Sequence, residues 1–203
     1  TVMVASFRDS VTHWLDVVLP ADLYVRTTLS TSASDAAYFS PGFVASVSGL
    51  PGVARVSTLR STPLLLDAGK PAVTLISRPI DDPATALPLV GAALPVPAGQ
   101  IGIYVSEAMV DLHNARLGST YPALSEHFKA IAPVGYEHNA IFFIAGVWRD
   151  YARQFGTIAM EQADFERLSG DTRVNDLSIW VAPGANTRAV EQSLRQPADT
   201  HAR

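Results

Sequence analysis

The sequence predicts an α+β fold of two lobes: one of two βαβ-like halves, and a β-rich mixed lobe inserted between them. Three observations predict it. Two distant stretches share the order strand, helix, Ser-Gly stop and returning strand within about 25 to 40 residues, the length of a βαβ unit. Between them the chain changes to paired strands and proline-rich loops. Finally, 203 residues with 48% hydrophobic and 17% charged side chains suffice to bury a core in one large domain or two small ones. The expected division is 1–62 with 155–203 for the discontinuous βαβ-type lobe, and 63–154 for the insert.

The first half reads in order. Met3, Phe7, Val11, Trp14, Leu15 and Val18 fall three and four apart, on one helical face, and Pro20 ends that helix. No capping signal precedes it, so it reads as the end of a longer helix. The opening "TVMVASFRDS" has no initiator methionine and no signal pattern, and reads as a segment of a longer protein. "DLYVRTT" alternates and is β-rich, predicting a strand over 22–28. Ser40 as N-cap, Pro41 at the first helical position and Phe39 placed to staple onto Val44 predict a helix over 41–48 stopping at Gly49. "VARVSTLR" returns as a strand over 53–60.

In the insert, "PLLLDAGKPAVTLISR" reads as two strands joined by a tight Asp-Ala-Gly turn, and 79–100 as proline-rich loops. "IGIYVSEAMVDLHNARLG" predicts a strand, Ser106 as N-cap and a helix ending at Gly118. "HFKAIAPV" and "AIFFIAGVW" read as further strands. The last third repeats the opening grammar. "TIAM" is a short strand, "EQADFERLS" a helix with acids in its first turn, Gly170 its breaker and "VNDLSIWVA" the returning strand. A closing helix is capped by Asn186 and pairs Val190 with Leu194.

Composition removes several function classes. Net charge is -4, with no block of Lys or Arg, so the electrostatic footprint of nucleic-acid binding is missing. The lack of cysteine excludes disulfides, thiolate metal sites and cysteine nucleophiles. The longest near-apolar stretch, 84–98, is shorter than a bilayer span of about 20 residues and carries Pro88, Pro95 and Pro97.

Motifs of chemistry are equally sparse. His13, His113, His127, His138 and His201 form no H-E-x-x-H; "EH" recurs at 126–127 and 137–138 without a further ligand cluster. There is no G-x-S-x-G and no phosphate-binding P-loop, and "AGQIG" at 98–102 precedes its strand where a dinucleotide loop follows one. Asp81 and Asp82 lie in a proline loop, and Glu161 and Asp164 at a helix start, where structure accounts for them. No catalytic residue, metal ligand or cofactor is assigned. What remains is "GVWRDYARQF" at 146–155, where an apolar run breaks into Trp148, Arg149, Asp150, Tyr151 and Arg153. They offer no nucleophile partnered with a base, so an aromatic and ionic joint between two moving bodies is the preferred reading.

"MVASFRDSVTHWLDVVLPADLYV", "GIYVSEAMVDLHNARLG", "AGVWRDYARQFGTIAME" and "FERLSGDTRVNDLSIWVAPGA" together resemble the periplasmic core domain of MacB-like permeases, of the FtsX-like ABC transporter superfamily. The likeness runs in order along nearly the whole chain. It implies a non-catalytic extracytoplasmic domain lying between two transmembrane helices, on the periplasmic face of the bacterial inner membrane, with the βαβ-type lobe nearest the membrane. Its implied partners are its own flanking transmembrane helices, a cytoplasmic ATP-binding domain or subunit, and a periplasmic adaptor, lipoprotein or peptide, in a dimeric parent permease. The domain would couple the ATPase cycle to export or to a partner by conformational change. Phe7 and Trp14 on the opening helix and Trp148, Arg149, Asp150 and Tyr151 at the joint are then the coupling or interaction residues. The competing expectation is a soluble periplasmic module binding a ligand or peptide in a cleft between lobes.

Overall fold

The computed structural model describes residues 2–26, 38–136 and 139–201, with side chains from Arg8 to Arg195. Glu137 and His138 lie outside the described residues, as does the side chain of Phe7. Helices and strands are both present throughout, which bears out the α+β class. Contacts divide the chain into two compact units, one of Thr1–Pro20 and Thr62–Asp171, the other of Ala21–Ser61 and Thr172–Arg203.

The second unit is the simpler. Strands β1 (Leu23–Arg26) and β2 (Val53–Leu64, which continues into the first unit) both run antiparallel to β7 (Asp176–Val181), which lies between them. The helix between β1 and β2, α2 (Pro41–Ser48), has the predicted start: Ser40 Oγ accepts the Phe43 N–H at 3.2 Å. Phe39 and Val44 both pack against the apolar cluster of this unit, and Phe39 has a further ring contact. Phe39 stacks on Phe43, centroids 4.8 Å apart, because both rings enter the apolar cluster of Val47, Leu177, Ile179, Val190 and Leu194. Val190 and Leu194 come from α7 (Thr187–His201), whose start is capped by Asn186 Oδ1 on the Arg188 N–H at 3.0 Å.

In the first unit the strand order is β2-β3-β6-β4-β5, with β3 (Val73–Arg78), β4 (Ile101–Ser106), β5 (Phe142–Trp148) and β6 (Thr157–Glu161). β6 runs parallel to β3 and antiparallel to β4, while β4 and β5 are parallel. Parallel neighbours need a crossover. Here it is made of α4 (Glu107–His113) and α5 (Pro122–Ile131). The strand expected at "HFKAIAPV" is therefore a correction: those residues begin in the middle of α5. Pro122 opens that helix, and Leu124 and Phe128, one turn apart, are buried on a single face. A window starting at His127 misses half of this pattern.

Ser106 is the N-cap residue of α4 as expected, but the use of its side chain and the stop of that helix differ. The Ser106 hydroxyl makes no cap on α4 and instead accepts the buried Thr157 N–H at 2.9 Å. α4 stops at Asn114, which takes the left-handed conformation with φ 53°, so Gly118 falls in the following turn. The proline-rich segment also carries a short helix, α3 (Pro83–Ala86), whose N-cap Asp82 accepts the Ala84 N–H at 3.1 Å. α6 (Gln162–Ser169) ends on Gly170 at φ 69°, as expected from Ser169-Gly170.

The core packs the sheet residues Leu75, Ile103, Ile144, Ile158 and Met160 against Met109, Leu124, Phe128, Phe165 and Leu168 from α4, α5 and α6. β5 is the last strand in the order, and an open edge invites unwanted pairing. Two loops cover it. Val90 and Leu94 donate to the carbonyls of Val147 and Ala145, and Gly118 and Tyr121 to those of Ile144 and Phe142. This edge cover brings the 88–94 loop beside the end of β5, where the candidate site begins.

Candidate functional site

The stretch 146–155 joins β5 to β6 inside the first unit. Its residues differ sharply in environment. Trp148 is the last residue of β5, 3% exposed, and its indole N–H donates to the Tyr104 carbonyl at 3.2 Å. It is an anchor of the strand end. Arg149 is exposed, its backbone N–H bound to the Pro88 carbonyl at 3.0 Å and its side chain 3.9 Å from the Glu107 carboxylate. Half of each charged side chain is in solvent, so this pair adds little.

Asp150 has no exposed side-chain surface. One oxygen accepts the backbone N–H groups of Ala152 and Arg153 at 2.9 and 3.2 Å. The other accepts the Thr157 hydroxyl at 2.6 Å and the Arg153 guanidinium at 3.2 Å. With four donors the carboxylate is committed to holding the turn. An Asp that bonds N–H groups two and three residues on is the local signature of such a turn, and "DYAR" carries it. Thr157, at the start of β6, has no comparable signal and comes to Asp150 only through the fold.

The turn so fixed receives α1 (Val2–Val18). Trp14 donates its indole N–H to the Arg149 carbonyl at 2.8 Å, and its ring meets Tyr151 edge-on with centroids 5.4 Å apart. Sequence analysis named all three residues without placing them together. Beside this contact lies an open groove of about 770 Å³ between one side of α1 and the 82–93 segment. Trp14, Val17, Leu87, Leu89 and Tyr151 supply apolar wall, and Asp9, His13, Asp82 and Arg149 its polar part. The loop contribution was not legible beforehand, since Pro, Ala and Leu in a loop carry no chemical signal.

Apart from His13 and Asp82, which line this groove, the other described candidates lie elsewhere. Asp81 is exposed and Asp82 caps α3; Glu161 accepts the N–H groups of Ile80 and Gln162, and Asp164 pairs with Arg167 at the start of α6. Glu126 lines a smaller opening of about 360 Å³ with Lys129 and Asn139. Among the described residues no three His, Asp or Glu side chains stand together in a way that holds a metal ion.

His127 on α5 and His113 on α4 are both partly buried, and desolvation holds each imidazole below its ordinary value; for His113 the nearby Lys70 adds to this and Asp67 opposes it. The unfolded chain therefore takes up these protons at higher pH than the folded one. Stability is complete above the unfolded value of about 6.5 and declines as pH falls through it. Urea unfolding at pH 7.5, 6.5 and 5.5 is expected to show that decline, and His127→Gln to flatten it. An identical slope in the variant would remove His127 as a cause.

No family model matches the chain. Among solved structures, the periplasmic region of MacB from Actinobacillus actinomycetemcomitans aligns with a TM-score of 0.56 at 13% identity, over 92% of this chain and 86% of that one. The extracellular domain of the ABC-type transporter YknZ from Gram-positive bacteria aligns with a TM-score of 0.53 at 11% identity, over 88% and 92%. In sequence, the chain is 24% identical over 201 residues to an uncharacterized ABC transporter permease protein of Mycobacterium tuberculosis. That match takes in 96% of the chain and 22% of the permease, so the chain spans about a fifth of that relative's length. The fold is that of the extracytoplasmic domains of MacB and YknZ, which bears out the resemblance read from the sequence.

Proposed function

We propose that this chain is the extracytoplasmic domain of an ABC transporter permease, and that it works without catalysis, coupling an ATPase on the other side of the membrane to export or to an external partner by changing conformation. The observation that carries the reading is the fold likeness to two such domains along about nine-tenths of the chain, joined to a sequence match of the same extent with a permease. Its membrane partners are the parent's own transmembrane helices and an ATP-binding domain or subunit; a periplasmic adaptor, lipoprotein or peptide and a dimeric parent complete the proposal.

In this reading α1 carries motion into the domain, and Trp14 with Arg149, Asp150, Tyr151 and Trp148 forms the place where it is received. Phe7, about two helical turns toward the start of α1, belongs to the same element. Rigid pieces and a two-position contact, not reactive groups, are what such a role requires. No helix of the described residues is long and apolar enough to cross a membrane. The parent reading frame is therefore expected to encode apolar runs of about 20 residues on both sides of this chain. A parent with neither run sinks the proposal. For the coupling role, Trp14→Ala in the parent permease should leave ATP hydrolysis by its ATPase near wild type and lower transport about tenfold or more; wild-type transport would count against α1 as the carrier.

A further inference from the structure

We propose that α1 is a releasable latch: the Trp14 indole seated on the 149–151 turn holds the helix against the first unit, and losing that seat frees the helix while the sheet stays folded. The burial of α1 is the first support. From Arg8 to Val18 no side chain is buried; Val11, Trp14, Val17 and Val18 are half-buried and Leu15 is 40% exposed. By contrast α5 and α6, although shorter, each sink two apolar side chains into the core. Hydrophobic attachment scales with apolar area removed from water, so the 8–18 part of α1 is held less tightly than they are. Weakly attached elements open on their own, well below the free energy of global unfolding.

The second support is the asymmetry of the contact. The receiving turn is built independently of α1: Asp150 is fixed by its four donors, and Arg149 is tied through its N–H to Pro88. The Arg149 carbonyl and the Tyr151 backbone therefore keep their places when the helix leaves, and the seat is ready for its return. A preformed receiver with a weakly held occupant has two discrete arrangements, the requirement for a switch. Third, the 770 Å³ groove undercuts one side of α1 where a packed layer would otherwise hold it. Pulling on the helix, or wedging an object into the groove, works against the same Trp14 seat. The inference adds a release step to the coupling reading, yet it is tested on the chain alone, so failure of either leaves the other standing.

The chain has no cysteine, so Val17→Cys introduces a single thiol on the groove side of α1. Its labelling rate and the hydrogen exchange of amides 8–18 both read release. Trp14→Phe keeps a ring and deletes the N–H donor; it should speed both about 3- to 10-fold, the value of one hydrogen bond. Trp14→Ala should speed them about 30-fold or more. Amides of β4, β5 and β6 should exchange as in the wild type. Two results would overturn the latch: α1 amides exchanging in step with β5 in the unmodified chain, or both Trp14 variants leaving labelling and exchange unchanged.

Discussion

Asp150→Ala is expected to lower the unfolding free energy of the chain by about 3 kcal/mol, among the largest effects of any polar substitution in it. The carboxylate is wholly enclosed, and its removal strands four donors at once: two backbone N–H groups, the Thr157 hydroxyl and the Arg153 guanidinium. Thr157 is 0% exposed, so its hydroxyl finds no water in exchange. Arg153 is 29% exposed and recovers part of its solvation, which limits the loss. Thr157→Val deletes one donor and leaves the turn otherwise intact, and should cost about 1 kcal/mol. Urea unfolding followed by circular dichroism measures both. A loss below about 0.5 kcal/mol in Asp150→Ala would show that the turn does not depend on its carboxylate, and the idea of a receiver fixed in advance would go with it.

Phe128→Ala should cost about 4 kcal/mol. The ring is 1% exposed and sits between Phe142 of β5 and Phe165 of α6, with centroids 5.3 and 6.1 Å away. Neither neighbour is on a loop that can close over the space, so a cavity remains and its cost adds to the lost transfer energy. Phe128→Leu fills most of that volume and should cost roughly a third as much. The same denaturation measurement decides. A small loss in Phe128→Ala would mean that α5 is not a core helix, and the crossover joining β4 to β5 would then need another explanation.

These two residues show how differently the fold and the site were legible. α2, α6 and the start of α7 could be placed from the chain within a residue or two, because Ser40, Gly170 and Asn186 act on N–H and carbonyl groups no more than four residues away. Phe128 could not be placed that way, since the helical pattern starts at Leu124 and a β-like run begins in its middle. At the site, the polar break after β5 drew attention to Trp148, Arg149, Asp150 and Tyr151, while Thr157, Pro88 and the groove-lining loop gave no sign. Ser106 shows the same limit: its residue type and position suit an N-cap, but β6 lies close enough to claim the hydroxyl.

The type of most elements, the starts of α2, α4 and α7 and the end of α6, the absence of thiol chemistry and of a nucleic-acid footprint, and the odd character of 146–155 were therefore legible in residue order alone. The partners of each strand were settled in three dimensions. β6 is buried from Thr157 to Met160, and that pattern would read the same whether its neighbours were β3 and β4 or any other pair, because it records which faces are buried and not which edge is bonded. The seat for Trp14 depends on that pairing in turn, since β5 must end and β6 begin on the two sides of the β4 end before Asp150 can reach Thr157 and present the Arg149 carbonyl to the helix.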